Sequence, residues 1–385
     1  KQQDHKGESI LQNQEIRGAK RSSKFKWVNW AIIGITMIVA LIYILVVDRP
    51  ENIIAAIRSI KLYWLGIAGI MMLLYWLLES CVLHAVTKKL YHPQKFMDTV
   101  RTTMVGQFYN CITPFASGGQ PMQAYSMVKT GVPLGIAGSS LLMRFIVYQF
   151  SLTLYSLITL VIFWNFFASR VTGLAFLSAI GFAINSLVMA GLFCIGFARG
   201  FAKKITVGTI RLLAKIHLMK HPDEKIIAAE IELDKFYEGF QLARKNAVVM
   251  AEMFLLSLLQ LTVFFLIPYF LCLAFGQTHV SLFQVVAAQA FVTMVTSFVP
   301  LPGAAGGAEI SFVTFFAIFM RGSDLNLSML LWRMLTFYAP ILIGGIVALG
   351  CSNESEAYML NKCEMEAQKK KLLEKADCAE KSKVS

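Results

Sequence analysis

Five charged side chains stand inside long apolar stretches of this sequence: Glu79, Arg144, Glu252, Glu309 and Arg333. A charge at the centre of a bilayer costs roughly 2.5–3.5 kcal/mol on insertion scales, so such groups are kept where they pair or serve a ligand. A guanidinium is a planar fork of donors that matches two phosphate oxygens at once. Arg144 and Arg333 therefore point to a central site for a phosphate head group. The competing reading is an arginine–Glu309 ion pair that only holds the two halves of the molecule together. Glu79 and Glu252 lie near the ends of their apolar runs, where a carboxylate either snorkels to the interface or contacts cargo. No catalytic constellation, metal site or cofactor is expected. The six histidines have no paired ligand spacing, there is no CxxC among the seven cysteines, and the phosphate-loop, dinucleotide and nucleophile-elbow patterns are missing.

The two arginines close two matching segments. Thr103-Met104-Val105-Gly106-Gln107-Phe108 parallels Thr293-Met294-Val295-Thr296-Ser297-Phe298, Pro114…Gly118-Gly119 parallels Pro302…Gly306-Gly307, and Leu141-Leu142-Met143-Arg144 parallels Leu330-Leu331-Trp332-Arg333. The proline-to-arginine separations are 30 and 31 residues. Three matches in one order at a near-constant offset indicate an internal repeat. Each Pro-to-Gly-Gly stretch is where a helix must break, and a glycine-rich turn that opens a second half-helix offers free N–H groups to an anion. Asn110, Thr113, Pro114, Gly118, Gly119 and Gln120 at the first turn, and Pro302, Gly303, Gly306, Gly307 and Glu309 at the second, are thus candidates to bind and translocate a lipid head group with Arg144 and Arg333. The polar cluster of Asn110, Thr113, Ser117, Gln120 and Gln123 either lines a wet groove or satisfies broken-helix backbone.

These segments need elements to hold them. The chain has 385 residues, is 56% hydrophobic and 15% charged, and has a mean hydropathy of +0.60. Soluble domains average about 45–50% apolar and about 25% charged. Several apolar runs reach the roughly 20 residues that cross a hydrocarbon core, so a soluble enzyme, a secreted domain and a nucleic-acid binder are excluded. Six runs read as full spans: 27–47, 62–84, 141–164, 172–198, 247–275 and 327–349. Stretches 102–127 and 283–320 are apolar but interrupted by Gly, Pro, Asn and Gln, and read as re-entrant helical hairpins, since irregular backbone at membrane depth survives only where it is buried or lines a cavity.

The expected fold is an all-α polytopic membrane protein with six transmembrane helices and two re-entrant hairpins in an inverted repeat, 27–171 and 172–349. Placing both termini inside puts 29 Lys and Arg on the cytoplasmic side against 5 outside, as the positive-inside rule requires. The basic tail 1–26, the loop 199–246 and the charged tail 350–385 are then cytoplasmic. The loop carries Ile210, Leu213, Ile216, Leu218 and Met219 as the apolar face of a helix lying on the inner leaflet. No cleavable signal peptide is expected ahead of Trp27. Three crossings per unit invert the second, the plan of secondary transporters whose broken helices meet at a midplane substrate site.

The runs Gly106–Met127 and Phe298–Phe316 resemble the two signature regions of the lysylphosphatidylglycerol synthase transmembrane family, the flippase-like part of the multiple peptide resistance factor. The resemblance covers roughly Trp27–Leu349 and rests on Asn110, Thr113, Pro114, Gly118 and Gly119, then Pro300, Pro302, Gly303, Gly307 and Glu309, with Arg144 and Arg333 downstream. Ala304 departs from the family's usual glycine, which stiffens the second turn. The resemblance implies translocation of lysyl-phosphatidylglycerol, or another aminoacylated or glycosylated lipid, across the bacterial cytoplasmic membrane, and with it resistance to cationic peptides. Only about 35 residues follow the last span, too few for a synthase domain. A flippase-like transporter is therefore expected rather than an enzyme, with a lysyltransferase or a membrane subunit of aminoacyl-phospholipid synthesis as the alternative. The expected partners are a phospholipid or glycolipid substrate and the bilayer. A separate synthase and a second copy of the chain are left open, and no nucleic acid is expected.

Overall fold

In a computed structural model of the chain, the described residues are 60–91, 94–171 and 222–350 apart from 298, with scattered positions at 58 and between 181 and 211. The expected span 27–47 and both charged tails lie outside them, as do most of the span 172–198 and most of the loop 199–221. The described residues are helical, with no strand among them.

The helices are α1 (Leu62–Leu90), α2 (Phe96–Ile112), α3 (Gly119–Lys129), α4 (Leu134–Ala168), α5 (Pro222–Lys245), α6 (Ala247–Ala274), α7 (Leu282–Thr296), α8 (Gly307–Phe316), α9 (Gly322–Arg333) and α10 (Ala339–Gly350). A π turn, Met334–Tyr338, joins α9 to α10 without a break. Four helices are long and apolar enough to cross a membrane: α1, α4, α6 and the continuous Gly322–Gly350. They occupy four of the six expected spans, three with extended ends and α6 matching its span to within one residue. The charged Lys88 and Lys89 stay within α1, and α4 begins seven residues before Leu141, after Pro133.

The two interrupted stretches fold as helical hairpins. At 1.5 Å per residue, α2 is about 26 Å long and α8 about 15 Å, short of a hydrocarbon core of about 30 Å. The legs run antiparallel. In the first hairpin Gly119 lies against Asn110, Gly106 against Gln123, and the Thr102 and Ser126 hydroxyls meet at 3.0 Å. In the second, Gly307 lies against Val299, and the Phe291 and Phe315 rings stack at 5.4 Å.

Chain order fixes which way each hairpin opens. The first leaves the C-terminal end of α1 and returns to the N-terminal end of α4. The second leaves the C-terminal end of α6 and returns to α9. Since α1 and α6 are antiparallel (Lys61 N–H donates to Ala274 O at 2.9 Å), the hairpins open at opposite ends of the bundle. Their tips, Pro114–Ala116 and Pro302–Ala304, touch each other between those ends. The α1–α6 pair is the most extensive helix contact among the described residues, and α4 packs against both. An apolar cluster of Val82, Val86, Leu142, Met143, Ile146, Phe240 and Met253 seals the end where α5 lies. Stacked rings of Phe312, Phe316 and Trp332, with Phe167, Phe291 and Phe315 beside them, fill the opposite end.

Candidate functional site

Both tips have the same backbone. A proline opens a single 3₁₀ turn, and the next two residues are left-handed: Phe115 and Ala116 (φ 54° and 52°) in the first tip, Gly303 and Ala304 (φ 58° and 54°) in the second. Three of these four residues carry a Cβ, a strain that persists only where the surroundings over-determine the conformation. Of the tip glycines, Gly118, Gly119 and Gly307 take ordinary φ values, and Gly303 and Gly306 have positive φ. What Gly118, Gly119 and Gly307 provide is room: a Cβ there would collide with Thr113, Asn110 and Val299 respectively.

Three N–H groups in each tip are taken up within the tip. In the first tip, Ala116 N–H donates to Thr113 O, Ser117 N–H to Pro114 O and Gly118 N–H to Thr113 Oγ1 at 2.9 Å. In the second, Ala304 N–H donates to Leu301 O, Ala305 N–H to Pro302 O and Gly306 N–H to Glu309 Oε2 at 2.7 Å. These six N–H groups are satisfied within the tips, none of whose turn residues is buried.

The two arginines are both ion-paired, each within its own repeat. Arg333 Nε lies 2.7 Å from Glu309 Oε1, its Nη1 donates to Gly303 O at 2.9 Å, and its guanidinium sits 4.4 Å over the Phe337 ring. The expected arginine–Glu309 pair exists, but it ties the second tip to α9 rather than joining the halves. The π turn places Phe337 so closely against Gly303 that a side chain at 303 would collide with the ring. Such bulges recur at functional positions.

Arg144 makes a different set of contacts. Its Nη1 meets Glu79 Oε1 at 2.5 Å and its Nη2 donates to Gln123 Oε1 at 3.0 Å, while Gln107 Nε2 donates to the other Glu79 oxygen at 2.5 Å. Glu79 is buried and does not snorkel. The polar chain continues through Tyr148 and Tyr75 to Gln260 on α6. Arg144 Nε and Gln123 Nε2 are buried without a hydrogen-bond partner. Arg144 thus stays inside the first repeat and does not touch its tip.

Between the tips lies a cavity of about 250 Å³. Asn110, Phe115 and Ala116 line it from the first hairpin; Gly303 and Ala304 line it from the second; Arg333, Thr336 and Phe337 close it. That is below the roughly 300–1,000 Å³ of a drug-sized ligand pocket, and fits a small polar group rather than a whole lipid. Of the expected residues, Asn110, Gly303 and Arg333 line the cavity, and Glu309 reaches it through Arg333. Thr113, Pro114, Gly118, Pro302, Gly306 and Gly307 build the tips. Gln120 is half-buried on α3, and Glu252 is exposed near the start of α6. Sequence reasoning missed Gln107, Tyr75, Tyr148, Gln260 and Phe337. For Gln107 and Gln260 the signal was there, an amide inside an apolar run; the aromatic residues carried none.

A model of the lysylphosphatidylglycerol synthase TM region matches residues 31–344, which take in both hairpins and both arginines. The chain belongs to the lysylphosphatidylglycerol synthase TM region family. It is also 24% identical over 291 residues to an Archaeoglobus fulgidus protein described as a UPF0104 membrane protein, an alignment covering 73% of this chain and 84% of the relative. The family and the apolar helices together make this a membrane protein. In this family member the resembling motifs are the structural parts of the two tips, and Arg333 is the cation that faces the space between them.

Proposed function

We infer that the chain is a flippase-like transporter that moves a phosphate-bearing lipid between membrane leaflets. The observation that carries this reading is the pair of hairpins with one tip conformation, opening at opposite ends and meeting at a cavity lined by Arg333. Immersed in a bilayer with both termini on the cytoplasmic side, the first hairpin is re-entrant from the cytoplasm and the second from outside. A lipid phosphate reaching the cavity takes the Arg333 Nε in place of the single Glu309 oxygen that holds it, one charge-assisted acceptor for another. Glu309 keeps its bond to Gly306 N–H, so the exchange loosens the second tip from α9 without unfolding it. Arg144 with Glu79 holds the first repeat rigid while this happens. Lysyl-phosphatidylglycerol is one cargo of the right chemistry, as are other aminoacylated or glycosylated phospholipids. Moving such a lipid outward in the cytoplasmic membrane lowers surface negative charge and with it the binding of cationic peptides.

The test is lipid scrambling or transport by the full chain in vesicles, with a head-group-labelled phospholipid and a leaflet-selective quencher. Arg333→Ala is expected to cut the rate at least tenfold with the thermal midpoint within a few degrees of wild type. Arg333→Lys is expected to restore little, because a point charge does not replace the fork. Arg144→Ala is expected to lose transport together with stability, since it strands Glu79 as a buried unpaired carboxylate. Wild-type rates in both alanine variants would overturn the reading.

A further inference from the structure

A second cavity lies outside the tip site. At the open end of the first hairpin, α2, α3 and the last turns of α10 enclose a groove of about 600 Å³. Its walls are apolar and include Met97, Met104, Met122 and Val347. Methionines are unbranched and polarizable, so a wall built from them adapts to chains of varied shape. Arg101 and Lys129 stand in the same groove, one from each leg of the hairpin, with Asp98 as the acid beside them. Arg101 meets Asp98 only through one amino group at 3.5 Å, and its side chain is 59% exposed, which leaves most of the guanidinium fork unengaged by that contact. The Lys129 ammonium sits 5.1 Å over the Tyr125 ring. The three charges leave an excess of one positive charge beside an apolar wall.

The groove is a fixed feature of the fold. The Thr102–Ser126 hydrogen bond clamps the two legs at its level, and Gly344 and Gly345 bring α10 against Met104 and Phe108. Two cations next to a wall of alkyl and thioether groups suit an amphipathic anion, with its charge on the guanidinium and its hydrocarbon against the methionines.

We propose that this groove holds an anionic phospholipid drawn from the leaflet at that end, with its phosphate on Arg101 and Lys129 and an acyl chain along Met97, Met104 and Val347, as a waiting position before the tip cavity. The proposal rests on the transport reading for its direction of travel, but the binding itself does not. The occupant is a membrane lipid rather than a soluble phosphate, because the apolar wall makes up most of the surface and contributes nothing to a free anion.

The experiment uses the full chain in phosphatidylcholine vesicles and a phosphatidylglycerol probe with a diazirine in its acyl chain. After photolysis, labelled peptides are mapped by mass spectrometry. Labelling is expected on residues 97–105 and 340–350. It is expected to fall at least fivefold in Arg101→Gln/Lys129→Gln and in Val347→Trp, which fills the groove with the charges intact. It is expected to persist in Arg101→Lys and in Arg333→Ala, and excess inorganic phosphate is expected not to compete. Labelling spread over the lipid-facing helices, or unchanged in both the charge-removed and the filled variants, overturns the proposal. Competition by inorganic phosphate alone overturns the choice of a lipid. If labelling behaves as expected while no variant, nor wild type, moves lipid between leaflets, the groove stands as a lipid site and the transport reading falls. If Arg333→Ala abolishes transport while groove variants label and transport as wild type, the groove falls and the transport reading stands.

Discussion

At the scale of single residues, the tips are specified by room and by strain. Gly119 Cα faces Asn110, and Gly66 on α1 faces open space. Gly119→Ala is therefore expected to destabilise the protein by about 1–3 kcal/mol, the usual penalty of overpacking. Gly66→Ala is expected to be neutral or stabilising, as alanine is the better helix former. Thermal unfolding in detergent, followed by tryptophan fluorescence, compares the two; equal midpoints would remove the packing argument. Ala304 sits at φ 54° where glycine is unstrained. Ala304→Gly is expected to raise stability by about 1 kcal/mol, the lower end of the strain of a left-handed non-glycine residue. A lower midpoint for Ala304→Gly would mean that the alanine methyl contributes packing that outweighs its strain.

At the scale of elements, the first hairpin is held to the last helix by close backbone approach. A Cβ on Gly344 would lie 2.6 Å from the Met104 carbonyl oxygen and 3.0 Å from Phe108 Cβ. A carbonyl on a helix cannot step aside as a flexible side chain does, so Gly344→Val must push α10 away from α2. Because α10 follows directly from the π turn that seats Phe337 on Gly303, the displacement is expected to loosen the second tip as well. An engineered cysteine at Ala304 should react with a maleimide several times faster in Gly344→Val than in the wild-type background. An unchanged rate would show that the π turn absorbs the shift.

At the scale of the whole molecule, the arrangement is two hairpins opening at opposite ends. Gly131 follows the base of the first, and Thr278 precedes the base of the second. Cysteines at 131 and 278 are expected to be labelled by a membrane-impermeant reagent from opposite sides of the membrane, 131 from the side of the termini. Labelling of both from the same side would contradict the inverted arrangement. Charge placement makes the same demand independently, because only opposite entry keeps 29 of the Lys and Arg residues on one side.

The sequence by itself determined where the described helices run and where they break. Long apolar runs marked α1, α4, α6 and the helix through α10, and Pro114 and Pro302 marked the interruptions, because hydropathy and the missing proline N–H act locally. The likeness of the two tips was also legible, since one conformation was written twice as a proline followed by paired glycines. The tertiary structure alone decided who holds what. Arg144 meets Glu79 from 65 residues away together with Gln107 and Gln123, whereas Arg333 meets a glutamate of the hairpin that immediately precedes its helix. Nothing in the sequence distinguishes two arginines at matching repeat positions. Their partners depend on which helix faces pack, and the repeats differ there, with a continuous helix after Arg144 and a π turn after Arg333. The left-handed residues were equally hidden: Phe115 and Ala116 take that conformation although glycines stand three residues on, because satisfying the tip amides by Thr113 and Pro114 offsets a strain that the side chains alone would have avoided.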